Sequence, residues 1–225
     1  MKRVADLFGA GLLLLVSMPI ILVLGIGLAV SLRAWPVFTQ VRIGRDGQPF
    51  RFVKLRTLPP DTPRYADKYA ISDLELPWLA RTVRDLHLDE LPQLALVLTG
   101  HMSLVGPRPE MPELHQLAPQ SFATERTRVR PGCTGLWQIS DAAEGLIHEA
   151  PLYDLIYVAR RSLALDLWIL WHTALRVIGR GSPQSAAAIP GWALNGQEDG
   201  LQVILEPDAV EPARRQLVQR GESAA

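Results

Sequence analysis

From Leu7 to Leu32 the chain carries no charged residue. As a helix that stretch would extend roughly 39 Å, more than the ~30 Å hydrocarbon core of a bilayer. The apolar core of a secretory signal is about 7–15 residues long and ends at a small-residue cleavage site. This stretch is longer, and Arg33-Ala34-Trp35-Pro36 makes a poor cleavage site. It reads as a retained membrane segment.

Ser17 and Pro19 stand at its midpoint. Proline donates no N–H and crowds the carbonyl one turn earlier, so a kink is expected. Ser17 can bond a freed carbonyl, which makes such a helix break tolerable in lipid. Lys2 and Arg3 precede the segment, and Arg33, Arg42 and Arg45 follow it. Positive charge marks the cytoplasmic side, and here both ends carry it. A kinked, re-entrant helix satisfies both ends; a slightly bent single span is the other arrangement. The residues alone leave both open.

A length of 225 residues allows one sizeable domain and an appendage. Lys plus Arg and Asp plus Glu number 23 each, so the net charge is zero. That balance argues against a nucleic-acid partner. Cys133 is the single cysteine, which excludes a disulfide framework and suits a reducing compartment.

Beyond Trp35-Pro36 the apolar pattern changes to period two: Val37, Val41 and Ile43, then Phe50, Phe52 and Leu55. The two runs flank GRDGQP, and Asp46-Gly47 is a hairpin turn signal. A short β-hairpin is predicted, ending at Lys54-Leu55-Arg56. Residues 58–66 read as a proline-rich loop. Helices are predicted over Leu74–Leu86, from Asp89 to Gly100 with Pro92 in the first turn, near Glu113–Arg128, over Glu144–Arg161 and over Ser162–Ile178. SLVGPRPEMP is rigid and proline-rich, and RPGCTGLWQ is a glycine-punctuated loop. From Gly181 the composition is that of a flexible tail, with one short helix at Ala213–Arg220.

Placed 100° apart, Leu163, Leu167, Leu170, Trp171, Ala174, Val177 and Ile178 form one broad face of the last long helix. Ser162, Asp166, Thr173, Arg176 and Arg180 lie opposite, with Trp168 and Leu175 at the border. Such a helix can lie in a membrane interface or pack its apolar face on a protein core. Both readings stand.

In RDLHLDELPQ, Asp89 and Glu90 sit at a helix start, where partial positive charge favours ionised acids and phosphate. The same pair also reads as plain capping. Lys54 and Arg56 close the hairpin, Arg84 lies just upstream of Asp89, and Arg108 sits between two prolines. Guanidinium groups pair bidentately with phosphate oxygens. No Walker-type loop, Rossmann fingerprint or zinc-binding helix motif is present.

The ordered set KLRT, LDELPQL, MSLVGPRPE, RPGCTGLWQ and YDLIYVARRSLALDLWIL resembles the bacterial sugar transferases, the monotopic phosphoglycosyl transferases, from about Lys2 to Gly179. The resemblance implies transfer of a sugar-1-phosphate from a UDP-sugar to undecaprenyl phosphate, with release of UMP. This step opens surface glycan synthesis on the cytosolic face of the bacterial inner membrane. It implies that Asp89 is the nucleophile and a Mg²⁺ ligand, that Glu90 assists, and that Lys54, Arg56, Arg84, Arg108 and Asp154 serve the substrates. It favours the re-entrant reading at Ser17 and Pro19.

The expected fold is mainly α with a small β-hairpin. A re-entrant membrane helix (1–34) and amphipathic interfacial helices surround a cytosolic catalytic domain (35–180), followed by a tail (181–225). Membrane lipids are expected partners, and an embedded face suits a homodimer. The chain departs from the family pattern at ISDAAEG, where an arginine is usual, and at His87 and His101. These departures bear on which sugar is chosen. A catalytically silent membrane scaffold for glycan assembly is the alternative function.

Overall fold

A computed structural model describes residues 1–63 and 74–194. The described chain is mainly helical, with a small antiparallel hairpin. It divides into two compact units. The first holds Met1–Gly44, Gln48–Leu104 and Pro109–Pro112; the second holds Arg45–Gly47, Val105–Arg108 and the chain from Glu113.

The first unit opens with α1, Lys2–Leu32, one uninterrupted helix through Pro19. Among the described residues it is the one helix long and apolar enough to cross a membrane. Its buried positions, Asp6, Ala10, Ser17, Gly25 and Leu28, recur on a single stripe. The rest of its surface is apolar and exposed, including Phe8, Leu15, Val23, Ile26 and Val30. Ser17 Oγ donates to the Leu14 carbonyl at 3.4 Å. That is not the carbonyl of Leu15, which Pro19 leaves without its usual helical donor, so the bond expected of Ser17 falls one residue earlier.

Asp6 ties the helix to the chain that follows it far in sequence. Its carboxylate accepts from Ser103 Oγ at 2.8 Å and from the Leu104 N–H at 3.2 Å, and Lys2 Nζ lies 3.7 Å away. Burying an acid is costly unless it is paired and hydrogen-bonded; here it has both.

Strands β1 (Val37–Ile43) and β2 (Pro49–Leu55) form the hairpin, in register from Val37 with Leu55 to Ile43 with Pro49. Asp46 and Gly47 take positive φ at its tip, as the turn signal predicts. Leu55 packs with Leu28, Ala80 and Val83 into the core of this unit. Helix α2 is Trp78–Asp85, four residues shorter at its start than the predicted Leu74–Leu86. Pro77 explains the difference, because the residue before a proline is pushed out of the helical region. The helix predicted from Asp89 is a 3-10 turn over Leu88–Gln93 that continues as α3, Leu94–Leu98.

The proline-rich SLVGPRPEMP contains an unpredicted short strand, β3, Ser103–Val105, where the chain passes from the first unit to the second. In the second unit the helix predicted near Glu113–Arg128 is two, α4 (Pro112–Leu117) and α5 (Gln120–Arg126), split at Pro119. The glycine loop holds a short strand, β4, Gly132–Thr134, and a helical turn, α6, Leu136–Ile139. Helix α7 is Pro151–Arg160 rather than Glu144–Arg161, since Pro151 fits a first helical position and not an interior one.

Helix α8, Leu163–Val177, agrees with expectation, and Ser162 caps it by accepting the Leu165 N–H. Its orientation in the second unit is fixed by several side-chain contacts. Asp166 is buried and accepts from Tyr157 Oη at 2.8 Å, Thr173 bonds Thr134, and Arg176 donates to the Gln138 carbonyl. These polar residues meet the protein together with the buried Leu165, Trp168 and Ile169, and Leu163, Leu167, Trp171 and Ile178 face outward. The apolar face is not packed on a core.

The chain from Gly181 to Leu194 continues to pack on this unit. The Gln184 N–H donates to the Ile139 carbonyl, Ser140 and Gln184 form a parallel bridge, and Ile189 and Ala193 are buried. The helix predicted at Ala213–Arg220 lies outside the described residues, as does part of the loop predicted at 58–66.

Candidate active site

In the first unit, α2 and its capping Leu86 are followed by a left-handed residue, His87 (φ 55, ψ 21), which opens the 3-10 turn carrying Asp89. Left-handed backbone is uncommon outside glycine, and such residues gather at functional sites. The turn leaves Asp89 3% exposed. Lys54, on β2 opposite Phe38, places Nζ 3.6 Å from Asp89 Oδ2 and 5.8 Å from the Phe38 ring centre.

Burial pushes the Asp89 carboxyl above its ordinary range. Lys54 pulls against that shift, Glu90 adds to it, and Arg84 and His87 pull it down. The structure thus brings Lys54, Arg84, Asp89 and Glu90 into one electrostatic neighbourhood. Arg56 shares the Phe38 ring with Lys54, its guanidinium 5.7 Å from the centroid, and its Nε–H donates to the Trp35 carbonyl at 3.0 Å.

Two polar groups in this unit escaped the reading of single residues, although they lie inside the motifs KLRT and LDELPQL. The Thr57 hydroxyl and the Gln93 amide nitrogen are both buried without a hydrogen-bond partner among the described residues. Thr57 lies just past the end of β2, and Gln93 closes the turn that holds Asp89. Buried polar atoms are ordinarily satisfied, so an orphaned donor here is capacity for a bound polar ligand.

The second unit holds Arg108 and Asp154. Asp154 is 2% exposed and pairs with Arg126, whose Nε and Nη2 lie 2.9 and 2.8 Å from its Oδ2. Arg126 was not singled out by the sequence, because nothing local marks it. It also donates Nη2 to the Arg108 carbonyl at 2.7 Å and stacks 5.5 Å over Phe122. The backbone around Arg108 is held from the other side by Gly106 N–H to the Thr134 carbonyl and Gly132 N–H to the Pro107 carbonyl, each 2.9 Å. A Cβ on Gly132 would collide with the Gly106 backbone, so glycine there is what lets the two motif loops touch.

The donor set can be tested against Mg²⁺. No group of three His, Cys, Asp or Glu side chains gathers among the described residues. Mg²⁺ is commonly held by one or two carboxylates, with substrate phosphates and waters completing an octahedron. A buried aspartate beside Glu90 fits that mode and does not fit an all-protein cage.

The family model described as bacterial sugar transferase matches residues 1–180. The chain belongs to the bacterial sugar transferase family. A Klebsiella pneumoniae relative named UDP-glucose:undecaprenyl-phosphate glucose-1-phosphate transferase is 34% identical over 78% of this chain and 39% of its own length. The exopolysaccharide production protein ExoY of Rhizobium meliloti (strain 1021) is 33% identical over 80% of this chain and 87% of the relative. The uncharacterized sugar transferase EpsL of Bacillus subtilis (strain 168) is 35% identical over 88% of this chain and 98% of the relative. The chain therefore spans well under half of the Klebsiella protein but nearly all of EpsL. The family model stops at residue 180, whereas the alignment with EpsL, over 88% of the chain, takes in residues 181–194.

Proposed function

We propose that this sugar transferase moves a sugar-1-phosphate from a UDP-sugar to undecaprenyl phosphate at the cytosolic face of the inner membrane, starting a surface glycan. The observation that carries the reading is the buried Asp89 carboxylate, 3.6 Å from Lys54, in a chain whose relatives include one named for this transfer.

An Asp89 oxygen attacks the phosphorus that bears the sugar. The bond from that phosphorus to the bridging oxygen breaks, and UMP leaves with the electron pair. An oxygen of the lipid phosphate then attacks the same phosphorus and frees Asp89, so the kinetics are ping-pong. Burial makes the carboxylate more basic than usual, which strengthens it as a nucleophile, and Lys54 keeps it ionised. Lys54 and Arg84 serve as phosphate contacts beside Asp89, because phosphoryl transfer depends on positioning and positive charge; in the second unit Arg108 is read as a phosphate-binding arginine in its own right. Glu90 supports Asp89, and Asp154 acts through Arg126 on the backbone that carries Arg108. Mg²⁺, held through Asp89 and the diphosphate, would supply neutralisation of charge on the phosphate oxygens.

The membrane reading has its own support. Both ends of α1 are basic, and Ser17 lies on its protein-facing stripe. We read α1 as re-entrant and α8 as an interfacial helix whose outward apolar face meets lipid.

Mixing the purified protein with Mg²⁺, undecaprenyl phosphate and a panel of UDP-sugars tests the function. UMP release that disappears in Asp89→Asn is expected. No release with any sugar would favour the scaffold reading.

A further inference from the structure

In the first unit, the chain bends back on α1 where that helix ends. Arg33 takes left-handed backbone (φ 48, ψ 40) and its N–H closes on the Ala29 carbonyl, a helix ending that ordinarily selects glycine. The turn returns Pro36 to the side of the helix, with its Cβ 3.9 Å from where a Cβ on Gly25 would stand. An open groove results, lined by Ile26, Ala29, Val30, Arg33, Trp35 and Pro36. Its walls are apolar apart from Arg33, and Ile26, Val30 and Trp35 are all exposed.

A row of cations leads away from this groove, which the rest of the apolar surface of α1 lacks. Arg33 lines the groove and is exposed. The Trp35 carbonyl accepts from Arg56 Nε at 3.0 Å. The Arg56 guanidinium and Lys54 Nζ lie 5.7 and 5.8 Å from the same Phe38 ring centre. Lys54 Nζ is in turn 3.6 Å from Asp89 Oδ2. Contacts therefore run from the groove wall to Asp89 through named side chains. Beyond its bond to Trp35, Arg56 has no hydrogen-bond partner among the described residues, and the Arg33 side chain has none. Two guanidinium groups are left for an anion, and such groups pair with phosphate oxygens.

An apolar trough with free guanidinium groups beside it fits an amphiphile with a phosphate head. The acceptor of the proposed transfer is one. Its phosphate has to come to the phosphorus at Asp89 while its chain stays out of water. We propose that the groove at the end of α1 holds the first isoprene units of the polyprenyl phosphate acceptor, with Arg33 and Arg56 receiving its phosphate on the way to Lys54 and Asp89. This rests on the transfer proposed above and adds the place from which the acceptor is delivered. A bulk phospholipid also has an apolar chain and a phosphate, but only the acceptor has to reach Asp89, where the cations lead.

Steady-state transfer by the full-length protein in detergent micelles tests this, with undecaprenyl phosphate and the UDP-sugar varied separately. In a ping-pong reaction kcat/KM for each substrate reports its own half-reaction. Arg33→Gln and Trp35→Ala change exposed side chains and should melt with wild type; Trp35→Ala also keeps the carbonyl that holds Arg56. Each is expected to lower kcat/KM for undecaprenyl phosphate by roughly tenfold, the scale of one charge-assisted contact. The value for the UDP-sugar should not move. An equal fall for both substrates, or no fall, would overturn the groove while leaving the transfer itself in place. A polyprenyl phosphate with a diazirine on its first isoprene unit gives a readout without turnover. It should label the peptide spanning 26–36, in competition with undecaprenyl phosphate and not with phosphatidylglycerol. Such labelling in a protein that turns over no UDP-sugar would keep the groove and overturn the proposed function. Equal competition by phosphatidylglycerol would make the groove an ordinary lipid contact and overturn the proposal. So would disulfide-linked dimers of Val30→Cys through position 30 that undecaprenyl phosphate does not prevent, since they would give the groove to a second copy.

Discussion

Lys54 Nζ stands 3.6 Å from Asp89 Oδ2, the lysine largely buried on a hairpin strand and the aspartate buried in a 3-10 turn. The pair sets two opposing influences on one carboxylate. Burial favours its neutral form, and the ammonium favours its charged form.

The first consequence is a pH profile. Activity needs ionised Asp89, so kcat/KM should fall as pH is lowered through a value above the usual carboxylate range. Lys54→Met removes the favourable charge, moving this acid limb to higher pH and lowering the rate on the order of 10²-fold. UMP release measured across pH for both proteins checks it; an unmoved limb would detach Lys54 from Asp89.

A second consequence concerns stability. A carboxyl whose folded pKa is raised binds its proton more tightly in the native state than in the unfolded one. Stability therefore falls as pH rises through the window between the ordinary and the raised value. Asp89→Asn abolishes that loss, so the variant should melt higher than wild type at neutral pH, and the gap should narrow on acidification. Thermal unfolding in detergent at several pH values measures it.

Arg126 and Asp154 give a third. Removing one partner of a buried pair leaves an uncompensated charge, costing about 3–5 kcal/mol. Asp154→Ala should be strongly destabilised. Asp154→Asn keeps an acceptor for Arg126 and should fold. If Asp154 works by way of the Arg108 backbone, this milder variant should lower kcat while leaving the pH limb in place. A shifted limb would mean that Asp154 acts on the nucleophile itself.

The sequence disclosed what depends on neighbours along the chain. Asp46-Gly47 gave the hairpin, the apolar spacing gave α8, and the charge-free run gave α1. Boundaries failed at prolines: Pro77 delays α2, Pro119 divides α4 from α5, and Pro151 postpones α7. Contacts between distant residues were hidden. Asp6 precedes the charge-free run and nothing beside it in sequence marks it, yet it is buried on Ser103 and Leu104. Arg126 resembled any surface arginine until Asp154 and the Arg108 carbonyl were placed beside it. The helical count grouped the outward apolar residues of α8 but left out Leu165 and Ile169, which are fully buried on the side it gave to polar residues. Which face met protein depended on Tyr157, Thr134 and Gln138, residues that a count on one helix does not include.

The re-entrant reading of α1 predicts that cysteines at positions 3 and 45 are both shielded from a membrane-impermeant thiol reagent in intact cells. Labelling at position 3 alone would show a crossing. Pro19→Ala should favour the spanning form, expose position 3 and reduce activity.

The covalent step admits the most direct measurement. With a UDP-sugar labelled at the sugar-bearing phosphate and no lipid acceptor, acid-quenched protein should carry the label on the peptide containing Asp89. The label should pass to product when undecaprenyl phosphate is added. Product formed by an enzyme that never carries label at Asp89 would contradict the mechanism.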